Sequence, residues 1–149
     1  MSTIANTELT TMFTTTDTTS TVPATTPRWM LWTGRVLTGL IAAFMIFDGG
    51  MKLFKPAVVV EGTKQVGFAE STIIPLGITL LVSSILYAIP RTAVLGAILL
   101  TGYLGGAVAT HVRLGDGNFL FAVIFGVVAW LGLYFRDARL RTLVPLRRD

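Results

Sequence analysis

The chain contains no cysteine and a single histidine, His111, among its 149 residues. Without cysteine it cannot form disulfides or supply thiolates to a zinc site or an iron–sulfur cluster. One histidine is also too few for a haem or metal site that is built from several imidazoles. We therefore expect no metal site, and any redox chemistry would depend on a bound quinone, a flavin or a partner protein.

Charged residues are also scarce, at 13% of the chain. A soluble domain carries roughly 25% charged residues, which cover its water-facing surface. The formal net charge is +4, but no basic stripe with interleaved aromatic residues is present, which argues against a nucleic-acid partner.

Apolar residues make up 52% of the sequence, and the mean hydropathy is +0.70. They are concentrated in four segments, each close to the roughly 20 residues that a helix needs to cross a bilayer. We therefore expect an all-α fold, a four-helix transmembrane up-and-down bundle over residues 29–136 that contacts the lipid bilayer. The expected spans are residues 29–54, 73–89, 92–112 and 119–135.

The two ends of the chain differ from the apolar middle. Residues 1–28 are rich in threonine and lack a sustained apolar run, so we expect a disordered N-terminal tail. Residues 137–149 form a basic tail that is expected to meet anionic lipid head groups. Of the twelve lysines and arginines, eight fall at the end of the bundle that carries both termini, and four fall at the other. This excess predicts cytoplasmic termini.

Three stretches of the membrane part carry recognisable motifs. They are Asp48-Gly49-Gly50-Met51-Lys52-Leu53, Gly67-Phe68-Ala69-Glu70-Ser71 and Tyr87-Ala88-Ile89-Pro90-Arg91-Thr92-Ala93-Val94-Leu95-Gly96-Ala97. In these motifs the chain resembles the DoxX-like family of small bacterial four-helix membrane proteins, over about residues 32–136. The resemblance implies a multi-pass protein of the bacterial cell (inner) membrane, and some members of the wider family look like subunits of quinone-linked redox complexes.

The chain departs from the family pattern in its second span. Family members often carry an acidic residue shortly after the glycine that matches Gly77, whereas this chain continues with Ile78 and Thr79. A function that depends on a buried carboxylate at that place is therefore disfavoured.

The predicted topology gathers charged residues at the end of the bundle away from the termini. Asp48, Lys52, His111 and Arg113 fall there, and Tyr103 precedes His111 by eight residues on a similar helix face. Asp48 lies near a helix C-terminus, where the helix dipole disfavours an anion, so it requires a cation. Lys52, His111 and Arg113 are the candidates. Two interpretations remain open: a polar pocket that binds a quinone head group or relays protons, and an ion network that closes the bundle.

Two glycine-containing motifs have structural interpretations. Gly102 and Gly106 form a G-x-x-x-G pair that Gly105 widens, and small residues allow helix backbones to approach closely. We expect these three to pack helices within the bundle, with dimerisation as the alternative. The sequence Gly115-Asp116-Gly117-Asn118 predicts a turn without chemistry.

These observations leave three hypotheses for the function. The first is a non-catalytic subunit or scaffold of a membrane complex, in contact with other membrane or redox subunits. The second is a component of a quinone-linked membrane oxidoreductase that binds a quinone head group at the outer face. The third, less favoured, is a small oligomeric transporter, because four short helices form a pathway only as a homo-oligomer.

Overall fold

The structure, a computed structural model, describes residues 27–143. In chain order its helices are α1 (Arg28–Phe54), α2 (Ala57–Gln65), a 3₁₀ turn (Glu70–Thr72), α3 (Ile73–Ala88), α4 (Ala93–Leu114), α5 (Phe119–Arg136) and α6 (Ala138–Leu143). The predicted all-α, four-helix architecture is confirmed, and the four long helices lie close to the predicted spans. The expected disordered tail lies outside the described residues except for Pro27 and Arg28, of which Arg28 begins α1.

The four long helices form a closed ring in which each packs against two neighbours and runs antiparallel to them. Gly34, near the start of α1, faces Gly132 and Arg136 at the end of α5, while Gly49, near the end of α1, faces Gly77 at the start of α3. Helices that follow one another along the chain are therefore neighbours, which is the up-and-down order. The end of α1, the start of α3, the end of α4 and the start of α5 meet at one end of the bundle.

Local backbone chemistry ends the helices at this end of the bundle. Lys55 adopts the left-handed conformation (φ 46°) immediately after α1, and Pro56 follows, which has no N–H to continue the helix. At the end of α4, Gly115 is also left-handed (φ 69°), and its N–H donates to the carbonyl oxygen of Val112. Glycine accepts this conformation without the strain that a side chain brings.

Within the described residues, four helices are long and apolar enough to cross a membrane. Their outward faces are apolar as well, with Phe47 and Phe121 about two-thirds exposed. Inside the ring, Leu80, Leu100 and Leu133 are fully buried. Lipid supplies no hydrophobic force between helices, so close packing and hydrogen bonds between helices must hold such a bundle together.

The helix contacts are made by other glycines than the sequence indicated. A Cβ atom on Gly102, Gly105 or Gly106 would meet nothing within 4 Å, and all three are exposed. The expectation that they pack helices within the bundle is therefore wrong for the described residues. The physical reason is that Gly102 and Gly106 border the larger of two cavities and Gly105 borders an open groove, rather than a neighbouring helix. Dimerisation through these glycines stays a prediction.

The close approaches occur instead at a second set of glycines, where a Cβ would lie within 3.1 Å of a neighbouring helix. These are Gly34, Gly49, Gly77, Gly96 and Gly132. Beside them, the buried Tyr87 hydroxyl on α3 donates to the carbonyl oxygen of Ala129 on α5, at 2.8 Å. This bond crosses the ring and joins two helices that are not neighbours.

Candidate functional site

A cavity of about 700 Å³ lies between α1, α4 and α5 at the end of the bundle away from the termini. The segment after α1 covers it, because Thr63, Val66 and Phe68 all contribute to its wall. Its polar lining residues are Asp48, Lys52, Thr63, Tyr103, Thr110, His111 and Asn118. Four of the five residues that the sequence placed in a polar pocket therefore line one cavity, and the fifth, Arg113, does not.

Aromatic side chains form part of the apolar wall of the cavity. Phe44 of α1 and Phe125 of α5 stack with their ring centroids 4.7 Å apart and their planes 16° from parallel. Phe68 and Phe121 lie nearer the covered end. The cavity thus combines a flat, apolar surface with several hydrogen-bonding groups, which is the usual composition of a small-molecule site.

The cation that balances Asp48 is Lys52, one turn further along α1. Its Nζ atom donates to Asp48 Oδ2 at 2.5 Å. The Lys52 side chain is 17% exposed and that of Asp48 is 40% exposed, so the carboxylate keeps one side open toward the cavity. An ion pair four residues apart on one helix face is a favourable arrangement. Lys52 thus supplies the cation that offsets the unfavourable helix dipole acting on Asp48 near the C-terminus of α1.

His111 pairs with Asp116, a residue that the sequence placed in a turn at the same end of the bundle. Its Nδ1 atom lies 3.0 Å from Oδ1 and 2.9 Å from Oδ2 of Asp116. The turn at Gly115 folds the chain back so that Asp116 lies beside the end of α4, and the Asp116 N–H donates to the His111 carbonyl oxygen at 3.3 Å. The sequence does contain a signal for this pair. Asp116 directly follows Gly115, the glycine that ends α4, and so lies close to the last turn of that helix.

The hydrogen bond from His111 is the main reason that the pKa of the Asp116 carboxyl is lowered from its ordinary value. The backbone N–H of Asn118 also donates to this carboxylate, at 3.1 Å. Because the folded protein lowers this pKa, the ionised carboxylate stabilises the fold at pH values above the ordinary pKa of an aspartate. That contribution is lost as the pH falls through the lowered value.

Arg113 contributes to the site from outside the cavity. Its Nη2 atom donates to the carbonyl oxygen of Val66 at 3.0 Å, and a Cβ on Gly67 would lie 3.1 Å from the same atom. Since Val66 lines the cavity, Arg113 holds the covering segment onto α4. Lys64 Nζ, 3.3 Å from Glu70 Oε2, adds an ion pair within the cover.

A second cavity, of about 510 Å³, is an open apolar groove along α4 and α5. Gly105 lines it, as does Trp130, whose indole N–H donates to Thr101 Oγ1 at 2.9 Å. The groove has almost no polar surface, so it offers little chemistry. Among the described residues, no group of three or more histidine, aspartate or glutamate side chains is placed to hold a metal ion.

A family model described as the DoxX-like family matches residues 36–132 of the chain. The matched region contains every residue that lines the larger cavity, together with Arg113 and Asp116. No curated protein and no solved structure matches the chain.

Proposed function

The chain belongs to the DoxX-like family of membrane proteins, and from this premise we propose that it is a non-catalytic subunit of a membrane complex whose cavity holds the head group of a quinone. One observation carries the proposal: Asp48, Lys52, Tyr103 and His111 all line a single cavity with aromatic walls. A quinone head group is flat, apolar on its faces and polar at two opposite edges. The aromatic side chains in the cavity wall suit the faces, and the polar side chains suit the edges.

The cavity chemistry supports binding rather than catalysis by the chain alone. The sequence contains no cysteine and one histidine, so it does not supply the thiolate or multi-histidine ligands of a protein-bound redox centre. In the proposed complex, electrons pass between the bound ligand and another subunit. This chain contributes the binding site and excludes bulk lipid from the head group.

The first prediction concerns retention of the ligand during purification. We expect the protein to copurify with quinone, counted as oxidised quinone plus reduced quinol, from membranes in mild detergent, and Asp48→Asn and His111→Ala to retain about tenfold less. Loss of one hydrogen bond from a quinol hydroxyl to the Asp48 carboxylate or to the His111 ring nitrogen accounts for a change of this size. The measurement is quinone per chain after solvent extraction and chromatography.

Two matched variants control for general damage to the protein. Glu61→Gln makes the same carboxyl-to-amide change as Asp48→Asn at an exposed position of α2 that does not line the cavity. Val112→Ala truncates the residue that follows His111; Val112 is exposed and does not line the cavity. Both should retain quinone as the wild type does. If Asp48→Asn and His111→Ala also retain it, or if the wild type never holds any, the proposal is wrong.

We also propose that both termini lie in the cytoplasm of a bacterial cell, so that the cavity opens at the outer face of the cell membrane. Among residues 27–143, six basic residues lie at the end near the termini, namely Arg28, Arg35, Arg91, Arg136, Arg139 and Arg141. Four lie at the cavity end, namely Lys52, Lys55, Lys64 and Arg113. An excess of lysine and arginine on the cytoplasmic side is the general pattern in membrane proteins.

The second prediction tests this orientation, and the absence of cysteine makes it direct. Gln65→Cys and Ala138→Cys each introduce a single thiol at an exposed position, at the cavity end and at the terminal end respectively. We expect a membrane-impermeant maleimide to label Gln65→Cys in intact spheroplasts, and Ala138→Cys only after the membrane is broken. The reverse pattern would invert the proposed orientation.

A further inference from the structure

The two ring nitrogens of His111 have different surroundings. Nδ1 contacts both carboxylate oxygens of Asp116, at 2.9 and 3.0 Å. An ionised carboxylate only accepts hydrogen bonds, so Nδ1 must carry the hydrogen in this contact. In a neutral imidazole the other nitrogen, Nε2, then keeps its lone pair and accepts. His111 lines the cavity, and no bond to its Nε2 occurs within residues 27–143.

Asp116 is itself held in place by the turn that contains it. The backbone N–H of Asn118 donates to Oδ1 at 3.1 Å, and the Asn118 side-chain amide donates to Oδ2 at 3.4 Å. Its own N–H is bound to the carbonyl oxygen of His111. The carboxylate is therefore positioned by its backbone before any ligand binds, and it fixes the orientation of the imidazole.

The remaining ionisable groups of the cavity come from two helices. Asp48 and Lys52 lie on α1, and Tyr103 lies on α4, eight residues before His111, while α2, α3 and α5 add none to the lining. Lys52 already donates to Asp48. The Thr63 and Thr110 hydroxyls donate to carbonyl oxygens of their own helices, and the Tyr103 hydroxyl can either donate or accept. The lining groups that can only accept from a ligand are therefore the Asp48 carboxylate and, once Nδ1 is bound to Asp116, His111 Nε2.

We propose that Asp116 is a positioning residue that holds His111 in the Nδ1–H form, and that the cavity thereby selects the hydroxyl-bearing, reduced form of the quinone. A quinol donates a hydrogen bond from each hydroxyl, whereas the oxidised quinone has only acceptor oxygens at its polar edges. The selectivity rests on the proposed function, because it requires that the cavity binds this class of ligand. The assignment of the His111 tautomer is independent of the proposed function.

The tautomer is tested without any ligand. Because His111 is the only histidine, protein labelled with ¹⁵N-histidine and purified with a histidine-free tag gives the signals of one imidazole. At pH 8 we expect the wild type to show hydrogen on Nδ1 and a lone pair on Nε2. Asp116→Ala should shift the population toward hydrogen on Nε2, and Asp116→Glu should restore part of the wild-type pattern. An unchanged spectrum in Asp116→Ala would overturn the positioning role.

The selectivity is tested with a short-tail quinol and its matching quinone, both soluble enough for titration. We expect the wild type to bind the quinol about tenfold more tightly, which corresponds to one hydrogen bond. Asp116→Ala should lower this ratio below about threefold, while the control Glu61→Ala should keep it. A ratio that Asp116→Ala leaves unchanged overturns the selectivity. If the wild type binds neither form, the proposed function fails together with the selectivity, and the nitrogen signals still decide the role of Asp116.

Discussion

Replacing Gly96 by alanine is expected to be the most damaging single methyl addition in the bundle. A Cβ at this position would overlap the backbone N and Cα atoms of Tyr87, where α3 and α4 cross. Backbone atoms cannot move aside as the end of a flexible side chain can, so the helices must separate. Overpacking costs about 1–3 kcal/mol in ordinary cores, and an overlap with backbone places Gly96→Ala at or above the upper end. The measurement is the free energy of unfolding in mixed detergent micelles.

The matched control is Gly102→Ala, six residues further along the same helix. A Cβ at Gly102 would meet nothing within 4 Å, and alanine is favoured over glycine in a helix by about 1 kcal/mol. This variant should therefore be neutral or slightly more stable than the wild type. The same change on one helix is thus expected to have opposite signs at two positions. Equal stability of the two variants would contradict the close crossing of α3 and α4.

This pair of glycines also shows where prediction from the sequence ends. The spacing of Gly102 and Gly106 is a pattern that can be read from the sequence, and it predicted helix packing. Whether a small residue faces a neighbouring helix depends on how each helix is rotated about its axis. That rotation is set by all contacts of the bundle together, so Gly96 carries no local signal that marks it as the crossing point.

The four spans themselves could be predicted because one physical requirement dominates them. A backbone in hydrocarbon must satisfy its own hydrogen bonds, and about 20 apolar residues are needed to cross. Residues such as Pro56 and Gly115 then mark the helix ends locally. The covering helix α2 could not be predicted as a helix in the same way, since nine residues are too few for a strong periodic signal.

The candidate site could be predicted in part for a similar reason. Up-and-down topology alone brings the end of α1 and the end of α4 together, which was enough to group Asp48, Lys52 and His111. It could not show that Arg113 reaches out of the cavity to the carbonyl oxygen of Val66, nor that Asp116 turns back onto His111. These contacts depend on side-chain directions at the helix ends, which topology leaves open.

The second large effect is expected when the ion pair on α1 is broken from one side. Lys52→Met leaves the Asp48 carboxylate at a helix C-terminus without its cation. Breaking a fully buried pair costs about 3–5 kcal/mol. For Lys52→Met we expect a smaller loss of unfolding free energy, about 1–3 kcal/mol, because the Asp48 side chain is 40% exposed and therefore only partly buried. Asp48→Asn should cost less, since the long Lys52 side chain can extend toward the interface and keep its charge hydrated.

The double variant Asp48→Asn with Lys52→Met separates the unpaired charge from the loss of the side chains. It contains no charge at either position, so we expect it to be more stable than Lys52→Met alone, although it carries one substitution more. The coupling energy of the cycle reports the interaction between the two residues. Lys64→Met is the matched control, because Lys64 pairs with Glu70 in an exposed position and such a pair contributes little. The prediction is contradicted if Lys52→Met is no less stable than Asp48→Asn, or if the double variant is the least stable of the three. In that case water in the cavity is sufficient to hydrate the Asp48 carboxylate without Lys52. A polar ligand would then have to displace this water on binding.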